Sequence, residues 1–179
     1  MIIMLIQIIF MVTVSAEQTY FNEEEGIRIE IDDGWYTQPE QFYEKLTPKE
    51  KENTVEMFVS EKQRDRLIIK KHKENSDAYN YYTTLVDLET GEGVNNRQID
   101  RVIRNVQTYF SDNIKSYEMD LFNHRIYFEI SPSRDEFGIY QKYILWVRNN
   151  DSFYEIVYYR YDTDVDQFFS DYPDVFANI

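Results

Sequence analysis

Asp162-Thr-Asp164-Val-Asp166 sets three carboxylates at alternate positions, the opening of a calcium loop. Such a loop also needs glycine at its sixth place and a bidentate glutamate at its twelfth. Counted from Asp162, those places hold Gln167 and Pro173. The triplet therefore reads as cap and first-turn charge for a following helix. Glu23-Glu24-Glu25 is a second carboxylate group. Paired acids act on a glycosidic bond when held at a fixed gap, whereas three consecutive acids read as a solvated charge run. The two histidines, His72 and His124, have no companion at ligand spacing. There is no cysteine, hence no thiol nucleophile and no thiolate metal site. Gly91-Glu92-Gly93 lacks the lysine of a phosphate loop, and no serine sits in a nucleophile elbow. The sequence thus predicts no catalytic residue, no metal site and no cofactor. The alternative is a small secreted hydrolase working through carboxylates, since Asp and Glu are its only abundant reactive groups.

Recognition chemistry is better represented. Arg64, Arg66, Lys70 and Lys71, with Lys73, form a basic stretch on an acidic chain. It reads as a docking site for an acidic partner or wall polymer, or as a strand face balancing neighbouring acids. Tyr79, Tyr81 and Tyr82 cluster, as do Tyr154, Tyr158, Tyr159 and Tyr161. Tyrosine serves recognition surfaces and half-buried sheets alike. Tyr79, Tyr81, Tyr82, Arg64, Arg66, Lys70 and Lys71 are accordingly the candidate partner-binding residues.

Residues 1–16 carry no charged side chain and end on Val14-Ser15-Ala16. A short apolar run before a small-residue cleavage site predicts a signal peptide, with one domain over residues 17–179. The expected location is secreted or at the cell surface, with an uncleaved membrane anchor as the alternative. Spanning a bilayer takes about 20 apolar residues, so the sequence predicts no stable membrane insertion after cleavage. A cysteine-free exported chain points to a bacterial source. The net charge of −14 repels phosphate backbones and anionic headgroups, which excludes nucleic acid as an expected partner. What remains is an unknown protein or cell-envelope component. Aromatic residues make up 17% of the chain, far more than a disordered acidic chain would carry.

These residues need elements to hold them. Ile27 to Ile31 alternates as a half-buried strand and Asp32-Asp33-Gly34 turns it. Thr47-Pro48-Lys49-Glu50 is a capping box with proline at the first helical position. With Val55, Phe58 and Val59 it predicts a helix over 48–62. Strands are expected at 66–72 and 81–88. Ile99, Val102, Ile103, Val106, Tyr109 and Phe110 predict a helix over 96–113. Hairpins follow, 117–122 with 125–130 about Asn123-His124, and 139–148 with 153–161 about residues 149–151. The last two strands are apolar on both faces, which predicts a sheet covered on both sides. Val165, Phe168, Phe169 and Tyr172 predict a closing helix over 164–178. The fold class expected is α+β: a mainly antiparallel sheet with helices on both faces.

This order resembles the PsbP-like fold. The alternating strand Ile27-Arg-Ile-Glu-Ile31 runs through a turn into Trp35. A long middle helix precedes four meandering strands, and the chain closes on an aromatic segment with Phe168 and Phe169. The resemblance covers residues 20–179 and implies an α/β/α sandwich that binds other proteins and catalyses nothing. It carries no shared active site, so it assigns no residue.

Overall fold

Apolar alternation becomes strands that pair with their neighbours in sequence. The structure is a computed structural model and describes residues 18–22, 25, 27–31, 34–37, 44, 46–60, 65–91, 96–136, 138–149 and 152–162. The chain divides into two compact units, residues 1–33 with 172–179 and residues 34–171. In the first, β1 (Gln18–Asn22) and β2 (Ile27–Ile31) form an antiparallel hairpin. Ile27 and Ile29 are buried and Arg28 between them is exposed, the alternation that the sequence shows.

The second unit opens with β3 (Trp35–Thr37), α1 (Pro48–Asn53), β4 (Thr54–Ser60) and β5 (Arg66–His72). Two helices follow, α2 (Asp77–Thr90) and α3 (Asn96–Phe110). It ends with β6 (Ile114–Asp120), β7 (Arg125–Asp135), β8 (Gly138–Asn149) and β9 (Ser152–Asp162). Seven strands make one sheet in the order β3-β4-β5-β9-β8-β7-β6, with every neighbouring pair antiparallel. The topology is two local meanders and one crossover. The chain leaves the sheet after β5, makes both helices, enters again at the β6 edge and winds back until β9 lies against β5. That seam joins residues far apart in sequence, such as Lys70 and Glu155.

α2 and α3 bury Ala78, Tyr82, Leu85 and Val106 in one cluster with Ile68, Phe128, Ile144, Trp146, Phe153 and Val157. Register puts these sheet residues on one face, so both helices cover the same side. Leu67, Ile69, Tyr143, Leu145 and Ile156, on the opposite face, are buried too. The antiparallel sheet, the α+β class, the two C-terminal hairpins and the burial of Trp146 agree with the sequence. The closing helix over 164–178 and the leader at 1–16 lie outside the described residues.

Three expected elements need correction. The capping box is present: Thr47 N–H donates to Glu50 Oε2 at 2.8 Å and Glu50 N–H to Thr47 Oγ1 at 3.3 Å. The helix it starts ends at Asn53, not residue 62. Thr54 to Ser60 instead pairs with both β3 and β5, and its β-branched and aromatic residues suit that sheet. Residues 81–88 are helical, inside α2, because Ser76 caps the helix by accepting from Tyr79 N–H at 3.3 Å. Its buried residues, Ala78, Tyr82 and Leu85, fall four and three apart, a helical stripe in which tyrosine imitates a strand former. α3 stops at Phe110 rather than 113, where Ser111 takes a left-handed φ of 55°. Ser76→Ala should lower stability by about 1 kcal/mol in a urea melt, the typical worth of a lost N-cap. An unchanged midpoint would mean that α2 does not depend on this cap.

Candidate binding cleft

Because β9 closes against β5, side chains from three strands meet below the start of α2 and the end of α3. Lys70 stands across from Glu155, and Glu155 across from Trp146. A cleft of about 690 Å³ opens over this face, with Lys70, His72, Ser76, Tyr109, Glu155 and Tyr159 among its walls. That volume falls within the range of small-ligand sites.

Glu155 is the hub and is only 3% exposed. Trp146 Nε1–H donates to its Oε2 at 3.0 Å, and Lys70 Nζ donates to its Oε1 at 3.3 Å. His72 Nε2 lies 3.9 Å from the same Oε1, too far for a hydrogen bond, and has no other hydrogen-bond partner among the described residues. Burial alone would raise the carboxyl's pKa. The imidazole of His72, the ammonium of Lys70 and the Trp146 N–H outweigh burial and hold it at about 2. Burial acts unopposed on Tyr109, whose phenol is pushed well above its ordinary value, further so by the negative charge of Glu155. Tyr159 is raised in the same way, chiefly by burial.

The cations around the cleft are paired. Lys142 bonds Asp112, and Lys73 meets Glu52 at 3.1 Å on the exposed rim. Beyond the cleft, Arg66 meets Asp135 at 3.2 Å, and its guanidinium lies 5.2 Å from the Tyr159 ring centre and 5.0 Å from that of Tyr161. Tyr158 O–H and Tyr161 N–H both donate to the buried Asp65, at 2.7 and 2.8 Å. Burial raises the Tyr158 phenol, and the Asp65 charge adds to it. Among the described residues no three His, Asp or Glu form a group able to hold a metal ion, and no helix is long and apolar enough to cross a membrane.

The candidate residues do not gather into one patch. On β5, Arg66 and Lys70 point to the helix face while Lys71 points to the other, as the period of a strand requires. Of the basic candidates, only Lys70 lines the cleft, and Arg64 lies outside the described residues. Tyr82 is buried, donates from its O–H to the His124 carbonyl at 3.2 Å and presents no surface. Tyr79 and Tyr81 are half-buried against the core, Tyr79 edge-on to Phe153 and Tyr81 edge-on to Tyr109. Glu155 was the residue to find. Its signal is a lone carboxylate in an otherwise apolar row, Phe153, Glu155, Val157, Tyr159, on a strand expected to be buried on both faces.

No protein-family model matches the chain, and no curated protein matches it. Among solved structures it is similar to cyanobacterial PsbP (CyanoP) from Synechocystis, with a TM-score of 0.56 and 12% identity over 93% of each chain. An identity so low carries the fold and no more. The antiparallel meander, the paired helices over one face and this likeness together give the chain the PsbP-like fold.

Proposed function

We propose that the protein is an exported, non-catalytic binding domain that holds a protein or cell-envelope component, and that the cleft over the β5–β9 seam is one place where it does so. The observation that carries this reading is the state of Glu155. A general acid or base works best with a pKa near the working pH. Glu155 is held at about 2, is buried, and already accepts from Trp146 and Lys70. Tyr109 and Tyr159 are displaced in the opposite direction. His72 Nε2 is buried and has no hydrogen-bond partner among the described residues. The Glu155 carboxylate is thus committed to the fold and the two phenols are held protonated, while amides, hydroxyls and aromatic edges remain for recognition. The PsbP-like fold supports the same reading. In this reading residues 1–16 are the export signal.

One preparation tests this. Protein secreted by its own host should begin at Glu17 on N-terminal sequencing, and should bind envelope fragments saturably in calorimetry without changing their mass. Turnover of a glycan or peptide abolished by Glu155→Gln would replace the binding domain with a hydrolase. An intact Met1 recovered in the membrane fraction would replace secretion with anchoring.

A further inference from the structure

β6 ends the sheet on one side and, among the described strands, pairs only with β7. Lys115, Ser116, Tyr117 and Glu118 are exposed in succession, so this edge is open to solvent. An open edge offers a row of unmet N–H and C=O groups, and native proteins blunt it with a short strand, proline, a bulge or lysine. At the other end of the sheet, β3 is only three residues long. β6 has seven residues, about 23 Å of strand, and none is proline. Its irregularity lies at its start, between Ile114 and Ser116. Its one lysine, Lys115, is turned onto Glu129 at 2.7 Å.

Exposed apolar surface gathers at the same edge. Tyr36, Tyr117 and Phe122 are the exposed large apolar side chains among the described residues, and the last two belong to β6 and the turn after it. Phe122 is 92% exposed, and its turn is held by Asp120, which accepts from Asn123 N–H at 3.1 Å. Register gives the edge two unlike faces. Tyr117 and Met119 lie opposite Phe128 and Ile126 on the helix side, whereas Glu118 lies opposite Tyr127 on the other. Glu118 is exposed and forms no ion pair with any described residue. Burial raises the Tyr117 phenol, and the charges of Glu89 and Asp100 raise it further, so acids stand near the apolar face as well.

We propose that the β6 edge is the docking site for an extended, lysine-bearing segment of a partner protein, which adds a further strand to the sheet. It rests on the reading of this molecule as a binding domain and adds a second surface to it, apart from the cleft. Main-chain hydrogen bonds along the edge supply the affinity of such a segment, and its alternate side chains supply the selectivity. Successive side chains of a strand point to opposite faces. Apolar residues at one parity pack beside Tyr117 and Met119, and lysines at the other stand across from Glu118. Opposite charges across a strand pair stabilise it and like charges destabilise it. The net charge of −14 draws a cationic segment in. It repels nucleic acid, anionic membranes and a second copy of this chain, which brings the same −14 and the same Glu118.

The probe is a fluorescent peptide of alternating Lys and Val, compared with one carrying Glu for Lys and one N-methylated at every peptide nitrogen. Anisotropy titrations use the full chain and the variant Glu118→Lys. The Lys peptide should bind about tenfold more tightly than the Glu peptide. The N-methylated peptide, which keeps the side chains and loses the donors, should not bind. Glu118→Lys should weaken the Lys peptide about threefold, with an unchanged melting temperature, since this side chain is exposed and unpaired. Hydrogen exchange followed by mass spectrometry should slow across residues 114–120 when the Lys peptide is present. Equal binding of the N-methylated peptide, or slowed exchange that spares 114–120, would overturn the proposal. So would slowed exchange at this edge on raising the protein concentration alone, which would make a second copy the occupant. Binding to phosphatidylcholine vesicles tighter than to the peptide and abolished by Phe122→Ser would turn the edge into a membrane contact and overturn it too. The two readings fail separately. Turnover of an envelope component would remove the non-catalytic reading and leave this titration standing, whereas binding that does not need the peptide's N–H groups would remove the edge alone.

Discussion

Trp146→Ala is expected to destabilise the fold by about 3–5 kcal/mol, the range for emptying a large aromatic site in a core. Trp146 is fully buried. Its ring centre lies 4.9 Å from Phe128, 5.5 Å from Phe110 and 6.0 Å from Phe153, so it ties β7, β9 and α3 together. The loss should fall toward the upper end because the change also removes the N–H that supports the buried carboxylate of Glu155. Trp146→Phe separates the two effects. It keeps much of the ring contact and loses the donor, and should cost about 1–3 kcal/mol, the penalty for an unmet buried partner. The readout is urea denaturation with a constant slope. An alanine variant within about 1 kcal/mol of the parent would mean that the core does not depend on this ring.

Glu155→Gln should cost about 3 kcal/mol near neutral pH, at the low end for breaking a buried pair because Lys70 reaches solvent. Its more diagnostic effect is on acid stability. The folded pKa of Glu155, about 2, lies below the unfolded value near 4.5. Ionised Glu155 therefore stabilises the native state fully above pH 4.5, and that contribution disappears as the pH falls through 2. The gap between parent and variant should be constant from pH 7 to about 5 and close by roughly 3 kcal/mol on further acidification. Other carboxylates titrate in both proteins alike, so the difference isolates this one. A gap that stays constant down to pH 2 would show that Glu155 is not held ionised by its neighbours.

The sequence was most legible where local signals and the final sheet ask for the same thing. The β7, β8 and β9 strands are adjacent in sequence and paired through short turns, so alternation and turn residues suffice. α3 has a complete apolar stripe and is readable for the same reason. Legibility fails where a distant partner decides. Val55, Phe58 and Val59 fit a helix and a strand equally, and pairing with β5 settles the matter. Tyr81 and Tyr82 favour strands by type, but the Ser76 cap and the stripe through Ala78 and Leu85 win. The cleft was least legible of all. Lys70 and Glu155 meet only because the crossover brings β9 back to β5, and no local pattern encodes that meeting. The basic stretch 64–73 was visible as composition, but strand geometry divides it between two faces.

The order of the strands also sets a problem for the chain while it folds. β5 sits inside the finished sheet, yet its second neighbour is the last of the described strands to be synthesised. Until β9 arrives, β5 presents an open edge through Leu67-Ile68-Ile69, an apolar run of the kind that seeds aggregation. Arg66 stands immediately before that run, and Lys70 and Lys71 immediately after it. Cations placed so tightly around an apolar strand act as gatekeepers, since stacking two copies of the strand would stack their charges. Slow, non-local closure of the β5–β9 seam makes that protection valuable. The basic stretch is thus placed to guard an unfinished edge while the chain folds, and in the native state its Lys70 neutralises the carboxylate of Glu155.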